Sequence, residues 1–126
     1  MYLMDTCCFI WYIETSEKLP ATVRELIDNA EHVSISQATL WEIAIKKTTG
    51  KLVLSMTAFE LEEKCIENKI EIYPLKNQYF ERIQALPLIH KDPFDRIIMA
   101  TAIEENLTLL TNDAKILKYE EVKTLW

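Results

Sequence analysis

Four carboxylates are spaced along the chain so that each lies at the end of a predicted strand or near the start of a predicted helix. They are Asp5, Glu42, Asp95 and Asp113. Carboxylates that gather in one place repel one another, and one becomes protonated unless a cation lies among them. Oxygen ligands of this kind suit Mg²⁺ or Mn²⁺, and a cation held by them can activate water to hydrolyse a phosphodiester. The four acids are therefore candidate metal ligands and catalytic residues.

Each of these acids also has an ordinary structural explanation. Asp5 could occupy a turn after a strand, and Asp113 could cap the helix that follows it. Glu42 could form an exposed ion pair with a lysine one helical turn away. Asp95 follows Asp92 by three residues and could complete a capping box. Singly, each explanation is the simpler one, but the convergence of all four acids in one inferred region favours a shared site.

The elements that would position the acids alternate along the chain. Short apolar runs predict strands at residues 1–5, 32–36, 70–75, 107–110 and 122–125. Helical spacing predicts helices at residues 22–30, 40–47, 56–68, 78–86, 93–103 and 114–119. Strands separated by helices imply crossover connections and a mostly parallel sheet with helices on both faces. Ligands bind beyond the carboxyl ends of such strands, where we expect the four acids to meet.

Two of these helices carry further signals. The sequence Asp92-Pro93 is a strong helix start, with aspartate as the N-cap and proline at the first helical position. We therefore assign the cap to Asp92. The helix predicted at residues 56–68 is amphipathic, and we expect a single apolar stripe to face the core. That stripe consists of Phe59, Leu61, Cys65 and Ile66.

The composition limits the classes of function. A chain of 126 residues, 49% of them hydrophobic, matches one domain, which we place at residues 1–126. No apolar run reaches the ~20 residues that span a bilayer, and no signal-peptide pattern is present, so we expect a cytoplasmic protein without a membrane partner. The only glycine, Gly50, excludes the glycine-rich nucleotide cradles. The three cysteines lack the C-x-x-C spacing of zinc motifs.

The distribution of charge restricts how the chain could bind a polyanion. Its net charge is −6, so binding of a nucleic acid would need a local basic patch or a bridging cation. The densest basic stretch holds Lys46, Lys47 and Lys51, and Arg96 lies next to one candidate acid. These cations could contact phosphates without reading sequence. A solvated helix end, where lysines suit the helix dipole, explains the three lysines equally well.

Three segments of the sequence are distinctive, and the second and third are long and specific: in chain order, they are YLMDTCCFIW, SISQATLWEIAIKKTTGKL and HKDPFDRIIMATAIEENLTLLTND. In these segments the sequence resembles the PIN-domain family, and within it the VapC-type toxins of bacterial toxin–antitoxin pairs. The resemblance spans nearly the whole chain and implies a three-layer α/β/α sandwich with a small, mostly parallel central sheet. It implies a metal-dependent endoribonuclease that uses Mg²⁺ or Mn²⁺ to cleave RNA. It also implies two protein partners, a cognate antitoxin and, in a homodimer, a second copy of the chain.

The resemblance also implies roles for single residues. The conserved acids of the family match Asp5, Glu42, Asp95 and Asp113. The family's hydroxyl contributor to the metal site, after the last central strand, matches Thr111, and Thr6 matches the residue that often follows the first acid. Both threonines are therefore candidate substrate-binding residues. Asp95 opens the run DRIIMATA, which matches the family's acid before a small-residue helix. Close relatives tend to carry histidine where this chain has Cys7, which could alter the surroundings of the site.

Two other classes of function are alternatives to a nuclease. A non-catalytic PIN-like protein- or RNA-binding module would use the acids only as caps, although a degenerate site usually lacks one of them. Phosphotransfer and phosphatase domains on similar sheets need adjacent acids or Asp-x-Asp after the first strand, and this chain has Asp5-Thr6-Cys7 there. His90 has no partner arranged for nucleophilic catalysis, so we favour a structural or substrate-contact role for it.

Overall fold

Five strands form one parallel sheet in the structure, a computed structural model that describes residues 1–126. The strands are β1 (Tyr2–Met4), β2 (Val33–Ser36), β3 (Ile70–Tyr73), β4 (Thr108–Leu110) and β5 (Thr124–Leu125). Their order across the sheet is β3-β2-β1-β4-β5, and every neighbouring pair is parallel. Each predicted strand is therefore present, and the predicted parallel sheet is confirmed.

Helices connect the strands and cover both faces of the sheet. They are α1 (Thr6–Ile13), α2 (Ala21–Asn29), α3 (Gln37–Thr48), α4 (Ala58–Glu67), α5 (Asn77–Ala85) and α6 (Pro93–Glu104), followed by a short 3₁₀ helix, Ile116–Lys118. None of these helices has the length and hydropathy needed to cross a bilayer. A parallel sheet between two helical layers confirms the predicted three-layer α/β/α architecture.

Successive residues of the central strands point to opposite faces of the sheet and so belong to two separate cores. Leu3 and Leu109 lie in one core, together with buried side chains of α5 and α6. Met4 and Leu110, the residues that follow them, lie in the other core, together with buried side chains of α1, α2 and α4. Both faces of β1 and β4 are thus buried, which explains why these strands are continuously apolar in sequence.

Helix α1 is not predicted by the periodicity of the sequence. Its eight residues, TCCFIWYI, are apolar almost throughout, so no polar face marks a helical period. What starts the helix is the side chain of Asp5, which caps it by accepting a hydrogen bond from the backbone N–H of Cys8. The last predicted helix, at residues 114–119, is wrong in type and length, because the structure has only the three-residue 3₁₀ helix there.

The apolar stripe predicted for α4 is also wrong in part. Leu61 and Cys65 are each 1% exposed and pack in the core, whereas the exposed fractions are 82% for Phe59 and 70% for Ile66. Residues 61 and 65 are four apart, and residues 59 and 66 are seven apart, so each pair lies on its own face of the helix. The predicted stripe merged these two faces, and only the packing of α4 shows which one is buried.

This division of α4 predicts very different costs for two truncations of large apolar side chains. Leu61→Ala should lower the free energy of unfolding by about 3 kcal/mol, since it removes buried methyl groups and leaves a cavity. Phe59→Ala should change it by less than about 0.5 kcal/mol, as at most surface positions. Urea denaturation of both variants measures the difference. Equal losses would mean that Phe59 is covered in solution.

Candidate metal centre and active site

A polar pocket of about 280 Å³ opens at the carboxyl ends of the central strands. Asp5 directly follows β1, and Asp113 follows β4 by three residues. Glu42 lies in α3, which begins directly after β2, and Asp95 lies in the first turn of α6. All four predicted acids line this pocket. The positions of the four acids therefore agree with the expectation that the sheet topology brings them together.

The first acid, Asp5, is buried at the base of the pocket. Its Oδ1 accepts a hydrogen bond from the Cys8 backbone N–H at 2.8 Å, and its Oδ2 accepts one from the Thr111 hydroxyl at 2.5 Å. Burial raises the pKa of Asp5 to about 6, with smaller contributions from the charges of Asp113 and Glu42, although the two hydrogen bonds oppose the rise. The carboxylate is fixed in position, and its charged form is disfavoured.

The second acid, Glu42, is buried rather than exposed as its simplest explanation required. Its Oε1 accepts a hydrogen bond from the Thr6 hydroxyl at 2.5 Å, and its Oε2 lies 2.8 Å from the Lys46 ammonium. Partial burial lowers the pKa of Lys46, but the hydrogen bond and the charge of Glu42 outweigh this effect, and the net pKa is raised. Lys46 therefore stays charged at the wall of the pocket.

The third acid, Asp95, contacts a histidine instead of capping its helix. Its Oδ2 lies 2.6 Å from His90 Nε2. The cap is Asp92, whose Oδ1 accepts from the backbone N–H groups of Phe94 and Asp95, so the cap assigned to Asp92 is confirmed. Burial raises the pKa of Asp95, and the charges of Asp92 and Glu42 raise it further, while the hydrogen bond to His90 opposes the rise.

The fourth acid, Asp113, serves a local structural role as well as facing the pocket. Its Oδ1 accepts from the backbone N–H groups of Lys115 and Ile116, which is the capping role that its sequence position suggested. Its own N–H donates to the Thr111 hydroxyl at 3.1 Å. Because that hydroxyl also donates to Asp5, Thr111 links the first and the last acid.

His90, for which the sequence favours a structural or substrate-contact role, lies among the possible metal ligands in the structure. One ligand atom each from His90, Asp95 and Asp113 lie within 4.8 Å of one another, close enough to hold one ion. The His90 side chain lies only five residues before Asp95, across the start of α6. The sequence signal was its place in HKDPFD, but no periodicity predicts that the loop folds its ring back over the helix start.

The structure brings only one of the four predicted phosphate-contacting cations to the pocket. Of Lys46, Lys47, Lys51 and Arg96, only Lys46 lines it. The Lys47 ammonium donates to the Met56 carbonyl at 2.6 Å, and Lys51 is exposed outside the pocket lining. Arg96 is 7% exposed, and its guanidinium donates to backbone carbonyls of α5 and of the loop before α6. Both terminal nitrogens of the guanidinium are used in this way, and Arg96 does not line the pocket, so the structure does not place it where a phosphate would enter.

The donor set fits a hard divalent cation. Five carboxylates and one lysine line the pocket, so the carboxylates far outnumber their counter-charges. Raised pKa values at Asp5 and Asp95 show that burial without a cation disfavours their charged forms. Oxygen-rich sites suit Mg²⁺ or Mn²⁺, and imidazole is also a ligand for transition metals. The residues that could hold such an ion are Asp5, Glu42, Asp95 and Asp113, with His90 beside them.

The chain is similar to known proteins over nearly its whole length. The PIN domain family model matches residues 2–122. The chain is 22% identical over 127 aligned positions to ribonuclease VapC22 of Mycobacterium tuberculosis, covering 98% of this chain and 97% of that protein.

Two solved structures show the same fold. VapBC2 of Rickettsia felis, bound to a DNA fragment from its promoter, matches with a TM-score of 0.73 and 18% identity, over 99% of this chain and 98% of that chain. A toxin–antitoxin complex from Klebsiella pneumoniae matches with a TM-score of 0.66 and 22% identity, over 97% of this chain and 95% of that chain. At these identities the likeness establishes the shared fold.

Proposed function

The chain belongs to the PIN domain family, and from this premise we propose that it is an endoribonuclease that hydrolyses RNA phosphodiester bonds with a carboxylate-bound Mg²⁺ or Mn²⁺. One observation carries the proposal: Asp5, Glu42, Asp95 and Asp113 converge in one pocket with a single lysine as counter-charge. A merely structural set of caps would not need all four side chains at the same cavity. The ribonuclease activity named for the M. tuberculosis relative supports the reaction class.

The residues of the chain have distinct tasks in this function. A divalent cation bound here would polarise the scissile phosphate and lower the pKa of a water molecule. Thr111 and Thr6 donate hydrogen bonds to Asp5 and Glu42 and so orient these two carboxylates. Lys46 supplies a positive charge at the wall of the pocket, where it can offset the charge of an entering phosphate. Both threonines thus support the acids, and Thr6 also lines the pocket, where it can contact the substrate.

We further propose that the protein is the toxin of a toxin–antitoxin pair, that its protein partner is a cognate antitoxin, and that it forms a homodimer. Support for the toxin role and the antitoxin partner comes from the similar folds of VapBC2 from R. felis and of the toxin–antitoxin complex from K. pneumoniae. The homodimer is proposed from the family resemblance alone. An antitoxin would have to keep RNA from an otherwise open pocket. The proposed activity itself is tested by RNA cleavage with the purified protein in Mn²⁺ and in excess chelator, with Asp95→Asn as the inactive control.

A prediction about RNA binding follows from the position of Lys46. Lys46→Gln should weaken RNA binding and flatten its salt dependence by about one unit of the log–log slope, because one phosphate contact is lost. Lys51→Gln should have a smaller effect, since Lys51 lies outside the pocket lining. Fluorescence anisotropy with a short RNA over a range of salt concentrations measures both quantities. Both variants are made in the Asp95→Asn background so that the RNA stays intact.

The outcome separates two routes of RNA entry. A larger effect at Lys46 than at Lys51 supports entry over α3 into the pocket. Wild-type affinity and slope in Lys46→Gln would mean that RNA approaches from another side and that the lysines form only a solvated helix end.

A further inference from the structure

The loop between α5 and α6, residues 86–92, is held by a buried arginine that does not line the pocket. The guanidinium of Arg96 donates hydrogen bonds of 2.7–3.1 Å to four backbone carbonyls, those of Ile83, Leu86, Pro87 and His90. A planar fork with five donors can satisfy several carbonyls at fixed angles, which an ammonium cannot do. Arg96 therefore fixes the path of the loop that carries His90.

Tyr119, near the C-terminal end of the chain, contacts the same loop. Its hydroxyl donates to the Pro87 carbonyl at 2.6 Å and accepts from the His90 backbone N–H at 2.8 Å. The Tyr119 side chain is buried, and no other hydrogen bond to the His90 N–H is present. Removal of this hydroxyl would leave a buried N–H unsatisfied, which costs about 1–3 kcal/mol unless the loop moves.

The backbone contacts matter because the only hydrogen bond of the His90 ring is the one to the Asp95 carboxylate. Its Nε2 meets Asp95 Oδ2 at 2.6 Å, but its Nδ1 is buried without any hydrogen-bond partner. Histidines of metal sites are usually oriented by a partner on the second ring nitrogen. Here that partner is missing, so the position of the ring depends on the backbone of residues 86–92, which Arg96 and Tyr119 hold.

On the basis of the proposed metal site, we propose that Tyr119 and Arg96 are positioning residues that act through His90 to hold the Asp95 carboxylate in place for a divalent cation. Neither side chain reaches the pocket itself. The chain of contacts runs from Tyr119 and Arg96 to the backbone of His90, and from the His90 ring to Asp95. Loss of the contacts that Tyr119 and Arg96 make with the His90 backbone should therefore weaken the contact between the His90 ring and Asp95.

The test compares two buried tyrosines. Tyr119→Phe keeps the ring and removes only the hydroxyl, and it should lower Mn²⁺ affinity about 10-fold, the low end for outer partners of metal ligands. Tyr79→Phe is the control, because Tyr79 is also buried and its hydroxyl donates to Glu105 at 2.7 Å. Glu105 lies ten residues beyond Asp95, about 15 Å along the helix direction. Tyr79→Phe should lower stability but leave Mn²⁺ affinity unchanged in isothermal titration calorimetry.

A double-mutant cycle shows whether Tyr119 acts through His90. His90→Asn should by itself lower Mn²⁺ affinity about 10- to 100-fold. Adding Tyr119→Phe to His90→Asn should then cause no further loss, because the link to Asp95 is already broken. Arg96→Lys, which keeps the charge but not the fork, should give the same pattern. If Tyr119→Phe does not fold, the cycle of Arg96→Lys with His90→Asn decides the question.

The outcomes separate this inference from the proposed function. A wild-type protein that binds no Mn²⁺ would overturn the metal site and the inference together. Two results would overturn the inference alone, with the wild-type protein still binding Mn²⁺. One is that Tyr119→Phe binds Mn²⁺ as tightly as the wild type. The other is that Tyr119→Phe lowers Mn²⁺ affinity by the same factor in the wild-type and the His90→Asn backgrounds.

Discussion

Asp95→Asn is expected to lower kcat/KM for RNA cleavage about 10³-fold or more, whereas Asp92→Asn should retain most of the activity. The loss follows from removing a negatively charged candidate metal ligand. Charge stabilisation by a bound metal contributes several kcal/mol to a transition state, and about 4 kcal/mol corresponds to roughly 10³-fold in rate. Steady-state cleavage of a fluorogenic RNA oligonucleotide at fixed Mn²⁺ measures both variants.

The two aspartates make a matched pair because both lie at the start of α6 and both line the pocket. Asp92 uses Oδ1 to cap the helix, and asparagine caps a helix nearly as well. Asp95 makes no cap, and its carboxylate faces His90 in the pocket. Melting curves of both variants establish that they are folded. Equal activities, or a larger loss in Asp92→Asn, would show that the catalytic acid had been assigned to the wrong aspartate.

Mn²⁺ at a hundred times its Kd is expected to raise the melting temperature of the wild-type protein by about 10 °C. Binding to the folded state alone adds about 2.7 kcal/mol at this concentration. For a chain of this size, each kcal/mol corresponds to roughly 3–5 °C. The shift should vanish in Asp5→Asn/Asp95→Asn, which removes two of the four acids but keeps similar side-chain shapes. Thermal melting followed by circular dichroism, with and without Mn²⁺, gives both values.

A second double variant controls for net charge. Glu62→Gln/Glu63→Gln also removes two negative charges, but from an exposed part of α4. In this variant the Mn²⁺-induced rise in melting temperature should be as large as in the wild type. A full shift in Asp5→Asn/Asp95→Asn would place the metal elsewhere on the protein. A reduced shift in the α4 control would mean that Mn²⁺ acts through the overall negative charge of −6.

Much of the fold follows from local sequence patterns. The alternation of short apolar runs with helical spacing predicted all five strands and their parallel pairing. These runs are readable because both faces of a central parallel strand are buried, so the strand is apolar throughout. Helix α1 was not predicted, for the related reason that a helix with no polar face shows no helical period in its sequence. Periodicity shows an element only where the element has two different faces.

The sequence by itself determined the four candidate acids, because parallel strands have their carboxyl ends at one edge and side chains that follow them must meet there. Only the tertiary structure decided which neighbours complete the pocket. It brought the His90 ring to Asp95 and turned Arg96 away from the solvent into a loop. It also separated the two apolar faces of α4, where Leu61 is buried and Phe59 is exposed. The physical reason is the same in each case: local spacing shows which residues share a face, but the packed neighbours decide what that face contacts.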